Sequence, residues 1–351
     1  MFSGKELATL AGQHKELLTD LVSIERELNQ RFFESEKAVR AIILAIATGE
    51  PLLFLGPPGV AKSLLIRTFC RMTGLLPADA TTDNTERNSE YFEYLLTPFS
   101  EPGELFGFWD LAKAQKGELK RANEGRMMQH ARVVYLDEVF NGSSAILNSI
   151  LSFLNERLFH DFNDVVKVKM ECLFGATNQV PETDELQAVF DRFVLRCQMH
   201  NVKAEPQSVC GLLSVGWTTT FSPQVQPLRD SARFWKSLTA FRVALGTVKL
   251  NADSERVYRV VAALVKSVRR FELCEVSSRR LIKFARVMLA HRIYDGFLGN
   301  DQRRAYEEWP VRPQELDLFA DYFLDVVDES EAEQQRHQLR SLTKAEAWAQ
   351  G

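Results

Sequence analysis

Hydrophobic positions recur with two different spacings along the chain, and each spacing predicts one kind of element. Leucines and isoleucines three and four residues apart predict helices over residues 5–29 and 36–48. Short apolar runs predict buried strands, and they lie at 51–55, 92–96, 133–136 and 171–177. Because strands alternate with helices such as 144–157, the pattern predicts an α/β fold with a parallel central sheet flanked by helices.

The pattern changes after about residue 205, where strand-like runs become rare. Helical spacing then predominates, in four segments: 229–245, 253–271, 277–295 and 313–327. The 351 residues are therefore predicted to form an α/β core over 1–204, a smaller all-α domain over 205–300 and a C-terminal extension over 301–351.

Two segments of the chain have no clear period. Residues 100–130 are charged and punctuated by glycine, which predicts a hairpin or loop insertion outside the core. Residues 328–351 are polar, and this composition fits either a solvated helix or a frayed tail.

Composition excludes several classes of protein. A net charge of −4 does not suggest a chain that binds nucleic acid over its whole surface. The first residues lack a secretory signal and no apolar segment is long enough to span a bilayer, so we expect a cytoplasmic protein. Five scattered cysteines without a CxxC pair argue against a zinc site and a disulfide framework: Cys70, Cys172, Cys197, Cys210 and Cys274.

The most informative motif follows the apolar run at 51–55 and precedes a predicted helix. It contains Gly56, Pro57, Pro58, Gly59, Val60, Ala61, Lys62 and Ser63, followed by Leu64. Strand, glycine-rich turn, Lys-Ser and helix are the context of a phosphate-binding loop, in which Lys62 reaches the β- and γ-phosphates and the Ser63 hydroxyl binds Mg²⁺. Ala61 stands where glycine is usual. The motif predicts ATP/ADP and Mg²⁺ as ligands, and a chance surface turn is the weaker alternative.

Hydrolysis needs further polar groups near the phosphates, and the next strands provide candidates. Asp137 and Glu138 follow the apolar run 133–136, so Asp137 is predicted to bind Mg²⁺ and Glu138 to polarise the attacking water. Asn178 follows the run 171–177 and could hold that water. The alternatives are a helix cap for the two acids and a turn for the asparagine.

Two arginines are candidates for stabilising transition-state charge. Arg192 lies shortly after Asn178, and Arg279 opens a helix of the predicted second domain. The adjacent Arg280 leaves the choice within that pair open, and a surface ion pair is the alternative for each.

The order of these motifs resembles an AAA+ ATPase: phosphate loop, Leu-Asp-Glu, Ala-Thr-Asn, Asp-Arg-Phe and a late Ser-Ser-Arg. The segments 135–140, 145–151 and 154–159 are more specific and resemble the MoxR family, in its RavA-like branch. Residues 92–97 and 104–107 are similar to that branch as well, and so is the alanine at position 61. The resemblance covers roughly residues 20–300.

This resemblance implies a ring of identical subunits, expected to be a hexamer, in which each subunit has an AAA+ core and a helical lid. Residues 100–127 would be the helix-2 insertion and 157–170 the hairpin before the sensor strand. Asn178 would be the first sensor, Arg192 a finger directed into a neighbour's site and Arg279 the second sensor. Arg157 would be a further candidate for contact between subunits.

The function implied is a Mg²⁺-dependent ATPase that remodels protein complexes, with a von Willebrand A domain partner and an unknown client. One alternative is a nucleic-acid motor, against which the interpretation of its basic residues as a solvated face argues. Its basis is the basic cluster in the insertion: Lys113, Lys116, Lys120, Arg121 and Arg126. The other alternative is a nucleotide-gated scaffold with little turnover, against which the acid pair and both arginines argue.

Overall fold

Five parallel strands form the central sheet of the chain. The computed structural model describes residues 4–78, 90–117, 121–122, 127–161, 164–221, 224–248, 255–270, 274, 276–299, 313–326 and 328–348. The sheet contains β1 (Leu52–Leu55), β2 (Tyr91–Leu95), β3 (Val133–Asp137), β6 (Cys172–Thr177) and β7 (Leu195–Gln198). Their order across the sheet is β2-β3-β6-β1-β7. The carboxyl ends of β1, β3 and β6 therefore lie side by side.

A separate hairpin pairs β4 (Leu158–Asp161) with β5 (Asp164–Lys167) in the antiparallel sense. It lies where the family resemblance places a hairpin, just before β6.

The described helices fall on both sides of β7 in the sequence. Before β7 they are α1 (Gly4–Gln13), α2 (Lys15–Arg31), α3 (Glu36–Thr48), α4 (Lys62–Met72), α5 (Pro102–Phe106), α6 (Leu111–Ala114), α7 (Ser144–Glu156) and α8 (Asp184–Phe190). After β7 they are α9 (Pro206–Phe221), α10 (Ser231–Thr247), α11 (Glu255–Arg270), α12 (Ser278–Leu298), α13 (Pro313–Tyr322) and α14 (Glu329–Trp348).

Alternate side chains of each strand face opposite sides of the sheet, so the core has two parts. Leu52 and Phe54 join the part that contains α2, α3, α10 and α12. Leu53 and Leu55 join the part that contains α7 and α8. All four residues of β1 are buried, as expected for a central parallel strand. The predicted α/β fold with a parallel sheet and flanking helices is confirmed.

The prediction for residues 100–130 was wrong in one respect. The segment contains α5 and α6, and Leu105, Phe106 and Met128 are buried in the core. The Phe106 ring lies 5.0 Å from the Phe159 ring, measured between centroids. The burial of these three residues could not be predicted, because isolated apolar residues among glycines and charges produce no periodic signal.

The C-terminal polar segment forms a helix, which decides between the two alternatives for residues 328–351 within the described range. Ala332 and Leu339 of α14 are buried, whereas Glu331 and Glu333 are exposed. A narrow apolar stripe therefore docks this helix against α13 and α11.

A buried charge cluster joins β7 to the C-terminal third of the chain. Arg196 of β7 and Arg280 of α12 are 1% and 0% exposed. Both form ion pairs with Asp325, with Arg280 Nη1 3.6 Å from Asp325 Oδ1. Arg280 also donates from Nη2 to Phe323 O at 3.2 Å. Burial, and after it the charge of Arg196, lowers the pKa of Arg280 to about 10.

The five cysteines are unpaired thiols. Cys210 on α9 is exposed, and the other four are buried. None of the helices in the described ranges combines the length and apolar character that a membrane span requires.

Candidate functional site

The turn between β1 and α4 approaches the neighbouring backbone closely. The Gly56 N–H donates to Thr177 O at 3.1 Å, which ties the turn to the end of β6. A Cβ atom on Gly56 would lie 2.0 Å from Met199 O, and the Gly56 φ angle is +155°. Only glycine fits at this position without displacing the backbone that follows β7.

The backbone conformation at Ala61 explains why glycine is usual at this position. Its φ angle is 62°, in the left-handed region that disfavours side chains, and α4 begins at the next residue. The Lys62 ammonium group donates to Gly56 O at 2.6 Å, and Lys62 is 7% exposed. Burial lowers the Lys62 pKa, whereas the charges of Asp137 and Glu138 raise it. The lysine and the two acids therefore lie within electrostatic reach of one another.

The acid pair stands at the carboxyl end of β3. The Asp137 carboxylate accepts a hydrogen bond from the Glu138 N–H at 3.1 Å. Glu138 itself has a φ angle of 48°, an uncommon backbone conformation for a glutamate. Burial and then the charge of Asp137 raise the Glu138 pKa, while Lys62 and a hydrogen bond from the Asn178 backbone lower it.

Asn178 follows the last residue of β6, and its side chain is exposed. The turn it opens is held by Thr177, whose Oγ1 accepts from the Gln179 N–H at 3.2 Å. Three strand ends thus bring Lys62, Glu138 and Asn178 to one edge of the sheet, where the sequence predicted them.

The residues predicted to bind Mg²⁺ fit that role by their chemistry. Ser63 on α4 and Asp137 on β3 provide a hydroxyl and a carboxylate, and both residues are half-buried. Among the described residues no group of three or more His, Cys, Asp or Glu side chains could hold a metal ion alone. Magnesium is commonly held by one or two protein oxygens together with substrate phosphates, so a two-residue set is sufficient.

A cavity of about 430 Å³ adjoins the phosphate loop. Its walls include Gly59, Val60, Ala61 and Leu64, the segments 31–38 and 198–203, part of α9, and Arg336 of α14. Helix α9 packs on the end of α2, since Thr219 Oγ1 donates to Arg31 O at 2.7 Å. This volume lies in the range of small-molecule sites.

The sequence of the chain matches a known family. Residues 19–233 match the MoxR domain found in the MoxR-vWA-β-propeller ternary systems. The chain belongs to this MoxR family. Its AAA+ class accounts for the order of the phosphate loop, the acid pair and Asn178.

Two uncharacterized proteins of Methanocaldococcus jannaschii are similar to this MoxR chain. One is 34% identical over 189 residues, which is 54% of the chain and 46% of the relative. The other is 35% identical over 184 residues, 52% of the chain and 46% of the relative. The aligned part thus spans just under half the length of each relative.

A crystal structure of a candidate ATPase from Cytophaga hutchinsonii has a similar fold. It superposes with a TM-score of 0.65 at 17% identity, over 97% of this chain and 98% of that one. At this identity the likeness shows the fold alone.

The two candidate arginines lie near each other. The charge of Arg279 lowers the pKa of Arg192, as a smaller effect than burial. Arg279 is exposed, and neither arginine lines the cavity beside the phosphate loop. Arg280 is instead buried in the Asp325 cluster, so of the adjacent pair only Arg279 can reach a ligand at the surface.

The Arg157 guanidinium is hydrogen-bonded within its own chain. Its guanidinium donates to Met170 O at 2.9 Å and to Gly49 O at 2.8 Å. Gly49 precedes β1, so these bonds lie near the amino ends of the strands. Lys62 and Glu138 lie near the opposite, carboxyl ends.

The basic cluster of the insertion is also partly engaged. Lys113 pairs with Asp110 at 3.4 Å, and Arg121 lies over the Trp109 ring, 4.4 Å from its centroid. Lys120 and Arg126 lie outside the described residues. Two of the five cations therefore make contacts within the insertion itself.

Sequence reasoning missed the far wall of the cavity. The segment 31–38, helix α9 and Arg336 are distant in sequence from the phosphate loop and carry no motif. Their only signal was local: a polar helix that carries Arg336, and a helix whose apolar residues include the exposed Leu213 and Trp217.

Proposed function

We propose that this MoxR chain is a Mg²⁺-dependent ATPase that works in a ring of identical subunits and remodels protein complexes. The observation that supports hydrolysis is the convergence of Lys62, Glu138 and Asn178 at one edge of the sheet. Lys62 and Glu138 each influence the pKa of the other, and the Asn178 backbone bonds to Glu138. A cation for phosphates and a carboxylate for water thus share one site.

Each residue of the site has a distinct role in the proposal. Lys62 binds the β- and γ-phosphates, and Ser63 and Asp137 hold Mg²⁺, which neutralises phosphate charge when bound. Glu138 orients and polarises the attacking water, and Asn178 fixes that water from the other side. The charge of Lys62 and the Asn178 hydrogen bond favour ionised Glu138, against the burial that would protonate it.

Arg192 is proposed to act on the nucleotide of a neighbouring subunit, and Arg279 to be the second sensor, on the helical lid. Two cations held near each other favour an anionic partner, and Arg279 is exposed at the surface. A site completed by a neighbour would couple hydrolysis to assembly of the ring.

The partner in this proposal is a protein with a von Willebrand A domain. Its support is the family description, which places the MoxR domain in systems with a vWA protein and a β-propeller. Residues 92–97, 104–107 and Ala61 support the RavA-like branch within the family. The client complex would be engaged through that partner.

The test measures the phosphate that the assembled protein releases from ATP in the presence of Mg²⁺. Glu138→Gln removes the charge that polarises water, so turnover should fall about a hundredfold while ATP binding and assembly remain. The control is Glu182→Gln, which makes the same change at an exposed position. Unchanged turnover in Glu138→Gln would contradict the role of Glu138. Immobilised Glu138→Gln protein with ATP should retain the von Willebrand A domain protein.

A further inference from the structure

The C-terminal helix α14 reaches the cavity beside the phosphate loop through one side chain. Arg336 lines the cavity together with Gly59, Ala61 and Gln198, although it lies more than 270 residues after the phosphate loop. Gln198 is the last residue of β7 and pairs in register with Leu55, the residue before Gly56. Arg336 therefore approaches the cavity from the edge of the sheet beyond β7.

The guanidinium of Arg336 is incompletely bonded by the protein. Its Nη2 lies 3.5 Å from Gln198 Oε1, at the outer limit of a hydrogen bond. Its Nε is buried and has no hydrogen-bond partner among the described residues. A buried donor on a cation is costly to leave unpaired, so this position favours an acceptor-rich or anionic ligand.

The helix that carries Arg336 is fixed from two sides. One turn later, Arg340 pairs with Asp321 of α13 at 3.0 Å. Gln198 donates in turn from Nε2 to Leu324 O at 3.0 Å, which joins β7 to the segment between α13 and α14. Arg336 is thus held at the cavity wall by packing that does not depend on its own contacts, which is the preorganisation expected of a binding group.

We propose that Arg336 binds the nucleotide of its own chain and is the contact through which α14 responds to an occupied cavity. The inference rests on the proposed nucleotide binding and adds a residue to it. Neither Arg192 nor Arg279 lines this cavity. Arg336 reports on the subunit's own nucleotide, whereas Arg192 is proposed to reach that of a neighbour.

The experiment is equilibrium binding of a fluorescent ADP to the full chain. Arg336→Met should weaken binding about tenfold, as for the loss of a charge-assisted hydrogen bond. The control is Arg26→Met, which removes an exposed arginine of α2 that does not line the cavity. Its affinity should stay within about twofold of wild type. Equal affinities for Arg336→Met and wild type would overturn the inference, and so would equal losses in both variants.

Two further measurements separate the possible outcomes. Lys62→Ala tests the proposed site itself: if wild type binds ADP and Lys62→Ala does not, an unaltered Arg336→Met defeats only the role of Arg336. If wild type does not bind ADP, both proposals fail. Titration with adenosine distinguishes the part of the nucleotide contacted, since a contact to phosphate leaves adenosine binding unchanged and a contact to base or ribose does not.

Hydrogen exchange keeps the inference testable if Arg336→Met folds poorly. In wild type, ADP should slow exchange of the backbone amides of 329–348, and Arg336→Lys should reduce that protection because lysine lacks the guanidinium fork. Exchange in α14 that ADP does not change would overturn the inference.

Discussion

The Ser277 hydroxyl donates a hydrogen bond to the Asp191 carboxylate, with Oγ 3.2 Å from Oδ2. Ser277 is the N-cap of α12 and accepts from the Arg280 N–H at 3.1 Å. Asp191 in turn pairs with Arg192, at 3.3 Å. The start of α12, which carries Arg279, is therefore joined directly to the turn that carries Arg192, and a movement of one displaces the other.

Ser277→Ala should destabilise the protein by about 1 kcal/mol, because α12 loses its cap and Asp191 loses a donor. Thermal unfolding measures this change. The control is Ser143→Ala, since Ser143 is the N-cap of α7 but makes no side-chain cap bond. Equal losses in the two variants would show that the Ser277 bonds contribute nothing.

Mixing two inactive variants should restore activity if Arg192 acts on a neighbour. Arg192→Ala subunits keep Glu138, and Glu138→Gln subunits keep Arg192. In a random one-to-one mixture about a quarter of the interfaces combine both intact groups, so turnover should reach about a quarter of wild type. Phosphate release on the mixture measures this, and no recovery would place Arg192 in its own subunit's site.

Gly56→Ala should destabilise the chain by about 3 kcal/mol and abolish nucleotide binding. The added Cβ would lie 2.0 Å from Met199 O, a backbone atom that can move only if the chain after β7 is displaced. Gly12→Ala is the matched control, because Gly12 lies in α1 with nothing within 4 Å of the added atom. That control should stabilise the helix by about 1 kcal/mol. Denaturant unfolding of both variants checks the pair, and similar behaviour would refute the close approach.

Asp325→Asn should destabilise the protein by about 3 kcal/mol. Arg196 and Arg280 would remain buried without the carboxylate that compensates them. Glu182→Gln serves as the exposed counterpart and should change the unfolding free energy by less than about 0.5 kcal/mol. If the melting temperature of Asp325→Asn equals that of wild type, the two arginines are stabilised by other groups.

Local patterns predicted the elements that form the candidate site. Helix α3 begins and ends at the predicted residues, 36 and 48, and the strands that lead to Lys62, Asp137 and Asn178 end within one residue of their predicted ends. These predictions were correct because a strand buried on both faces is apolar at successive positions. Such a run is visible in one window of sequence.

Other features depended on partners distant in the chain and could not be predicted in this way. The segment 5–29 was predicted as one helix, but the structure divides it at His14 into α1 and α2. The burial of Arg280 requires Asp325 and Phe323, and the position of Arg336 requires the docking of α14 beside β7. No spacing within one segment encodes such contacts.

The distribution of cysteines makes the chain its own indicator of unfolding. A thiol reagent meets one accessible sulfur in the native protein, on α9, and five once the core opens. The count of modified thiols per chain therefore measures the opened fraction without any introduced label.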